Sequence, residues 1–370
     1  MSGMKYRLAH NYLIKVIHQC AVELETPAHK ANRLLELRIK AWKRNGKSKN
    51  LLLNWVEIYK ILRLIGVDAR KAEVSLILAT VFTLKFFWNN LVMFQINFVL
   101  FEVMLIGFYC LARKKPHIAG VLFTIITFIK IIPVFLAAYV FLFHFSRKVV
   151  ISMVTTALIC LTLPMAFRGK DLWVQDHVDN YEILIKHYIV EGTIVADRVN
   201  HSLKSGMLKT FYPETRHIVD VNPDKYPLIL RIAGFMQLMM LGVIITNGII
   251  LFRRKVWFSL AYLSSILVFS HLYAMITWTA HLVTLLFCIL PVLLIDVRKL
   301  PKPGKIAFWI FIGLMVFLGI EGSDTVGEKI YQAIHHYDLH TLMLMGLFIF
   351  SSWVVLDKRS AGIFPDGIQI

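Results

Sequence analysis

The sequence contains little of what disulfide-rich domains and soluble nucleotide-dependent enzymes rely on. Its 370 residues include four scattered cysteines, Cys20, Cys110, Cys160 and Cys288, and the last three lie in apolar runs. This spacing excludes a disulfide framework, and we interpret the cysteines as packing residues. A glycine-rich nucleotide loop, paired metal-ligand spacing and the Ser, His and Asp spacing of a hydrolase are also missing. We therefore expect no cofactor, no metal and no nucleotide donor.

Acidic charge is scarce as well. The chain has 23 Asp and Glu against 41 Lys and Arg, which gives a formal net charge of +18. The basic residues gather at the N-terminus and in short joints between apolar runs, as the positive-inside rule expects of cytoplasmic segments. That rule explains the charge better than nucleic-acid binding does, so we expect membrane lipids as partners and no nucleic acid.

Apolar residues are abundant instead. They make up 57% of the chain, with 26 phenylalanines and a mean hydropathy of +0.64, against about 45–50% apolar in soluble proteins. We predict an all-α polytopic membrane protein with about eight to ten transmembrane helices. The predicted spans cover residues 91–112, 117–145, 149–167, 228–252, 256–275, 278–297, 306–320 and 339–356.

The remaining segments indicate how the chain is organised into two parts. Residues 1–50 read as a basic cytoplasmic or membrane-surface segment, and residues 51–370 as the transmembrane domain. Within this domain, residues 51–66 suit an interfacial or partner-packed helix, and residues 74–88 are short for a crossing by themselves. Residues 168–226 form a polar loop too long for an ordinary connection, so we expect a functional extracytoplasmic loop with short helices of its own.

The most informative stretch is residues 117–145, which is apolar on both sides of Lys130 and Pro133. An ammonium at membrane depth costs about 2.5–3.5 kcal/mol on insertion scales and normally faces a polar cavity or an anion. Pro133 breaks the helix within one turn of that charge. Because basic joints flank the stretch at both ends, we favour a hairpin of two half-helices over a single kinked span.

Other polar residues also interrupt the spans. Gln95 and Asn97 lie about 200° apart on a helix, so they face one partner only if the helix is irregular there; an interhelical hydrogen bond is the alternative use. Glu102 is a possible counter-ion for Lys130. Trp278 and His281 share a helix face, where interfacial anchoring and core packing are the simpler explanations.

Together these residues resemble the middle of glycosyltransferase family 87. The family shows a QxN element, a glycine-led helix, a K-x-x-P break and a basic turn, and the counterparts are Gln95, Asn97, Gly120, Lys130, Pro133, Arg147 and Lys148. NHSL at Asn200, Ser202 and Leu203 resembles its N-x-S-L element. Ser270, Trp278 and His281 resemble its S-P-x-S-W-x-x-H element with altered spacing.

The resemblance implies a GT-C-like bundle that transfers a hexosyl group, mannosyl by preference, from a polyprenyl-phosphate-sugar donor to a glycan or glycolipid acceptor. It implies substrate-binding roles for Gln95, Asn97, Lys130, Asn200, Ser202 and Trp278. Family members carry an aspartate, taken as the base, in a loop after an N-terminal helix, and neither precedes residue 51 here. The candidates for a catalytic group are therefore His281, Asp176 and Asp179, with Asp197 as a further loop aspartate.

Two other classes stay open. A transporter or flippase of polyprenyl-linked sugars also needs a charged, broken helix, although it predicts an internal repeat that we do not find. A non-catalytic glycosyltransferase-like subunit fits the missing aspartate loop. In each case we expect a protein integral to a bacterial plasma membrane, with its site on the extracytoplasmic side.

Overall fold

The computed structural model describes residues 48–93, 96–216, 218, 220–321, 323–356 and 368–369. Helices dominate this part of the chain, and the predicted all-α polytopic class is confirmed. The basic segment predicted for residues 1–50 lies almost wholly outside the described residues. The boundary proposed between this segment and the transmembrane domain therefore stays a prediction.

The first half of the described chain is a series of helices joined by tight turns. In chain order they are α1 (Ser48–Leu64), α2 (Ala69–Met93), α3 (Asn97–Ala112), α4 (Pro116–Ile129), α5 (Val134–Phe143), α6 (Arg147–Arg168), α7 (Lys170–Asn180), a π-helical segment (Tyr181–Val190) and α8 (Leu203–Phe211). The last three lie within residues 168–226, so the short helices predicted for the polar loop are present.

The second half combines long helices with short pieces. It contains α9 (Pro227–Arg253), β1 (Val256–Phe258), α10 (Leu260–Tyr273), a 3₁₀ helix (Thr279–Thr284), α11 (Leu285–Cys288), α12 (Leu290–Leu293), α13 (Lys302–Ile320), α14 (Ser323–Val326), α15 (Glu328–His336), α16 (Leu339–Leu356) and β2 (Ile368–Gln369). Short 3₁₀ turns occur at Pro213–Thr215, Pro223–Lys225 and Val297–Lys299. The two strands pair as a small antiparallel ribbon.

Five helical stretches are long and apolar enough to cross a membrane. They are Ala69–Asn90, Arg147–Arg168, Pro227–Arg253, Lys302–Gly319 and Leu339–Leu356, and shorter apolar helices accompany them. Helix α10 is buried at every position from Leu260 to Leu272 and packs against α16, α9 and α5. A helix that is apolar on all sides belongs inside a bundle, and α10 forms the centre of this one.

Three predicted spans differ from the structure, and one of them, residues 278–297, consists of a 3₁₀ helix followed by the short helices α11 and α12. Residues 91–112 do not form one helix, because α2 continues to Met93 and α3 begins at Asn97. Residues 256–275 begin as the strand β1, and α10 starts only after Ser259, whose side chain accepts a hydrogen bond from the Tyr262 N–H. The Ser259 side chain caps the start of α10 in this way, whereas the cap of α3, Ile96, makes no side-chain hydrogen bond and the Asn97 side chain bonds to other segments.

Residues 117–145 form a hairpin, as predicted. Helix α4 ends at an extended Lys130, and α5 begins after Pro133. A Cβ placed on Gly120, near the start of α4, would lie 3.5 Å from Val140 Cγ1, near the end of α5. The two helices therefore run antiparallel, and the alternative of a single kinked span is wrong.

The basic joints gather at one end of the bundle. The Trp257 indole donates to the Leu111 carbonyl at 2.8 Å and its ring contacts His144, so the joints after α3, α5 and α9 meet. The Arg254 guanidinium donates to the carbonyl of Val355 at 2.9 Å. Such contacts suit helix C-termini, whose carbonyls lack intrahelical donors. The Lys130 turn lies at the opposite end of the hairpin.

Candidate active site

The Lys130 turn is tied to the start of α3. The Lys130 Nζ donates to the Asn97 side-chain oxygen at 2.7 Å, and the Asn97 amide donates to Asn90 Oδ1 at 2.9 Å and to the Ala280 carbonyl at 3.2 Å. Asn90 also donates to that carbonyl, at 2.5 Å. The break between α2 and α3 therefore points Asn97 at the hairpin turn. It brings together three segments that the sequence singled out separately.

Lys130 has no carboxylate partner among the described residues. Glu102, the counter-ion considered from the sequence, lies beside Glu57 and Lys60 of α1 instead. That pairing is therefore wrong. The Lys130 charge is close enough to His271 and His281 to act on both rings. The turn thus presents an uncompensated cation within electrostatic range of two imidazoles.

Trp278 and His281 close the turn that opens the 3₁₀ helix. The Trp278 N–H donates to His281 Nδ1 at 3.3 Å, and the His281 N–H donates to the Trp278 carbonyl at 2.8 Å. Because Nδ1 accepts, we assign the proton of the neutral ring to Nε2. The carbonyl of Ile276 also lies near the ring. The Trp278 indole N–H is buried and has no hydrogen-bond partner within the described structure.

Asn200 joins this turn to the polar loop. Its amide donates to the carbonyls of Val195 and Met275, and its oxygen accepts from the N–H groups of Ser202 and Thr277, at 2.6–3.1 Å. All four hydrogen-bonding positions of the side chain are therefore used. The Ser202 hydroxyl lies 3.4 Å from the Met275 carbonyl and is buried. Both residues fix the loop against the Trp278 turn.

A buried polar chain begins one residue beyond Trp278. Thr279 Oγ1 lies 3.1 Å from His201 Nε2, and His201 Nδ1 lies 2.8 Å from Asp338 Oδ1. Lys209 Nζ approaches Asp338 Oδ2 to 3.0 Å. Burial lowers the pKa of His201 and keeps it neutral. Burial by itself would raise the pKa of Asp338, but Lys209 and His201 hold it well below its usual range.

A second buried group of ionisable residues adjoins this chain. The Glu321 carboxylate binds the Lys85 ammonium, and its Oε1 lies 3.4 Å from His340 Nε2 and 3.6 Å from His335 Nε2. The His340 ring lies 4.4 Å from that of His201. Burial raises the pKa of Glu321 and lowers that of His335 to about 4. We call His335, His340, Glu321 and Lys85 the histidine cavity.

Sequence reasoning missed both buried groups. One signal was available, because Lys85 interrupts the apolar run VFTLKFFW and a charge at such a position needs a partner. The histidines have no periodic spacing with Glu321 or His201. They meet only because α2, α8, α15 and α16 converge.

The predicted catalytic aspartates lie elsewhere. Asp176 forms an ion pair with Arg168, and Asp179 accepts from Gln175, both in half-buried positions on α7. Asp197 belongs to the segment that pairs with the Trp278 turn, since Val199 accepts from the Thr279 N–H and Asn200 bridges to Trp278. Gln95 lies outside the described residues.

A comparison with known protein families finds a match that includes only those site residues that come early in the chain. The family model described as Glycosyltransferase family 87 matches residues 48–196. The matched stretch contains Asn97, Lys130 and the hairpin, whereas Trp278, His281 and the histidine cavity apart from Lys85 lie beyond it. No curated protein and no solved structure matches the chain.

Proposed function

Because residues 48–196 match the model of glycosyltransferase family 87, we propose that the chain is a member of this family and moves a hexosyl group, mannosyl by preference, from a polyprenyl-phosphate donor to a hydroxyl of a lipid-linked or cell-surface glycan. A membrane glycosyltransferase is what the family supports in general. The sugar, the donor and the acceptor are our proposal. The end of the bundle with the basic joints is the cytoplasmic one by the positive-inside rule, and the Lys130 end is extracytoplasmic.

The observation that carries the proposal is the uncompensated charge of Lys130. Its ammonium bonds to the neutral Asn97, and among the described residues no carboxylate pairs with it. A cation in such a position is stabilised by an anionic ligand, and a lipid phosphate is the anion available at a membrane. As the sugar leaves the phosphate, the developing charge on the leaving oxygens strengthens this interaction.

The proposed roles of the other site residues follow from their contacts. His281 carries its proton on Nε2 in the assigned tautomer, so it suits a donor role better than that of a base. The Trp278 indole N–H is a second donor without a partner in the described part of the chain. We assign Asn200 and Ser202 to positioning, because their polar atoms already hold the loop.

Asp197 becomes the base in this scheme in place of Asp176 and Asp179. It is half-buried and lies on the segment that pairs with the Trp278 turn. A base must come within about 2.6–3.2 Å of the acceptor hydroxyl in the productive complex. Asp197→Asn should therefore lower the rate constant of transfer strongly and leave donor binding unchanged.

The proposal is tested with full-length protein in nanodiscs. Labelled polyprenyl-phosphate mannose, glucose and galactose are offered with a panel of membrane glycolipids, and products are separated by chromatography. We expect transfer by the parent and by Lys186→Ala, which removes an exposed lysine, and none above background by Lys130→Met. Donor translocation without transfer in proteoliposomes would identify a flippase. Absence of both activities would point to the non-catalytic subunit.

A further inference from the structure

We propose that the histidine cavity is a binding site for a divalent transition metal of the zinc class, with His335, His340 and Glu321 as ligands. This site is separate from the proposed Lys130 phosphate site. It goes beyond glycosyl transfer, because nothing in the transfer scheme uses it.

The first argument is the lack of hydrogen-bond partners. Both ring nitrogens of His335 and of His340, and Glu321 Oε2, are buried and have no hydrogen-bond partner within the described residues. His340 is 0% exposed, and His335 and Glu321 are nearly as deeply buried. Buried polar atoms are almost always bonded, and an unsatisfied group calls for a ligand, water or ion. One ion can take one nitrogen from each ring together with the carboxylate, and this would satisfy three of the groups at once.

The second argument is the type and spacing of these atoms. Two imidazoles and a carboxylate form a donor set that zinc sites use, usually with a fourth position open. Ligands at about 2.0–2.1 Å from a tetrahedral zinc lie about 3.3–3.4 Å from each other. Glu321 Oε1 lies 3.4 Å from His340 Nε2 and 3.6 Å from His335 Nε2. Magnesium and calcium prefer oxygen ligands and fit this set poorly.

A second group of possible ligands adjoins the cavity. His340 also belongs to a group with His201 and Asp338, in which one ligand atom from each lies within 4.8 Å of the others. Asp338 is held by His201, Lys209 and Thr341. Because both of its oxygens are already bonded, the fourth position of the metal is left to water, as in zinc sites with three protein ligands.

The Lys85 ammonium would compete with a metal ion for the Glu321 carboxylate. The ammonium binds Glu321 Oε1, the oxygen nearest both histidines. The Lys85 side chain is 23% exposed, so it can withdraw toward solvent or lipid headgroups when a metal binds. Removal of this ammonium should therefore strengthen metal binding.

The test measures metal, without any sugar. Full-length protein with its affinity tag removed is equilibrated with Zn²⁺ in detergent, and bound metal is counted by mass spectrometry. We expect one zinc per chain, and ligand-field bands of low-symmetry cobalt after exchange with Co²⁺. His335→Gln and His340→Gln should each weaken binding by about 100-fold or more, beyond the loss typical of outer-shell changes.

Two further variants keep the result interpretable. His336→Gln alters the neighbouring histidine, which contacts Arg216 outside the cavity, and should bind zinc like the parent. Lys85→Met should bind zinc more tightly, a gain that misfolding does not produce. Zinc well below one per chain in the parent, unchanged binding in His335→Gln, or weaker binding in Lys85→Met would each overturn the proposal. Since sugar transfer is not measured, failure here leaves the glycosyltransferase proposal standing.

Discussion

The Lys130 ammonium donates a 2.7 Å hydrogen bond to the side-chain oxygen of Asn97, across the gap between the hairpin turn and the start of α3. This bond holds the cation in place without neutralising it. A carboxylate at the same position would hold the cation in place and would also neutralise its charge. The pair therefore offers a way to separate the position of Lys130 from its charge.

Asn97→Asp should weaken donor binding while the protein stays folded. The new carboxylate would compensate the Lys130 charge that we assign to the lipid phosphate, and we expect the KM for the donor to rise about 10-fold or more, which corresponds to about 1.4 kcal/mol. Steady-state transfer assays over a range of donor concentrations measure this change. Glu102→Gln is the control, since Glu102 lies beside α1. A normal donor KM in Asn97→Asp would remove Lys130 from the phosphate site.

Asp338 should be essential for stability. Its carboxylate is buried between His201 and Lys209, and removal of one partner from a buried ion pair costs about 3–5 kcal/mol. We expect Asp338→Asn to lower the free energy of unfolding by that amount in mixed-micelle denaturation. The double variant with Lys209→Met should lose at least about 1 kcal/mol less than the sum of the single losses.

The control for this pair lies on the surface. Lys186→Ala breaks the exposed ion pair with Glu182 and should leave the free energy of unfolding nearly unchanged, because solvent screens such pairs. Strict additivity of Asp338→Asn and Lys209→Met would show that the two charges do not act together.

Much of the fold follows from hydropathy, because each long apolar run needs only its own backbone hydrogen bonds in a membrane. The hairpin followed from Lys130, Pro133 and the basic joints at both of its ends. The break before Asn97 was only hinted at, since Gln95 and Asn97 can face one partner only where the helix is irregular, and nothing in the sequence chose this use over an interhelical hydrogen bond. The sequence showed Lys130 and Asn97 only as separate polar residues within apolar runs and did not indicate that they contact each other.

The histidine cavity could not be predicted in this way. Lys85 lies 236 residues before Glu321, and although Glu321, His335 and His340 are close in the sequence they belong to different segments, where each alone resembles a core histidine or a helix-end carboxylate. Periodicity describes one helix at a time and carries no information about which helix ends meet. Asp338 and Glu321 gain their environment from tertiary packing alone.

His187 should titrate above the ordinary pH range of a histidine. A hydrogen bond to Asp220, with a second one to Glu191, raises its pKa above 6.5. The protonated ring therefore adds stability that is fully present below pH 6.5 and is lost as pH rises through the folded-state pKa. Histidine NMR signals, assigned with His187→Gln, should show the raised pKa, and Asp220→Asn should bring it down toward 6.5. An unchanged value in Asp220→Asn would mean that the bond is not formed in solution.

Gly206→Ala should disturb the Asp338 group by contact alone. A Cβ at Gly206 would lie 2.6 Å from Thr341 Oγ1 and 2.9 Å from Asp338 Oδ2, so α8 and the start of α16 must move apart. Overpacking of this kind costs about 1–3 kcal/mol. Gly234→Ala is the matched control, since its Cβ would meet nothing within 4 Å and alanine favours the α9 helix by about 0.5–1 kcal/mol. Denaturation of both variants should therefore give shifts of opposite sign. If Gly206→Ala is as stable as Gly234→Ala, α8 does not pack closely against Asp338, and the buried chain from Thr279 to Asp338 is not held as described.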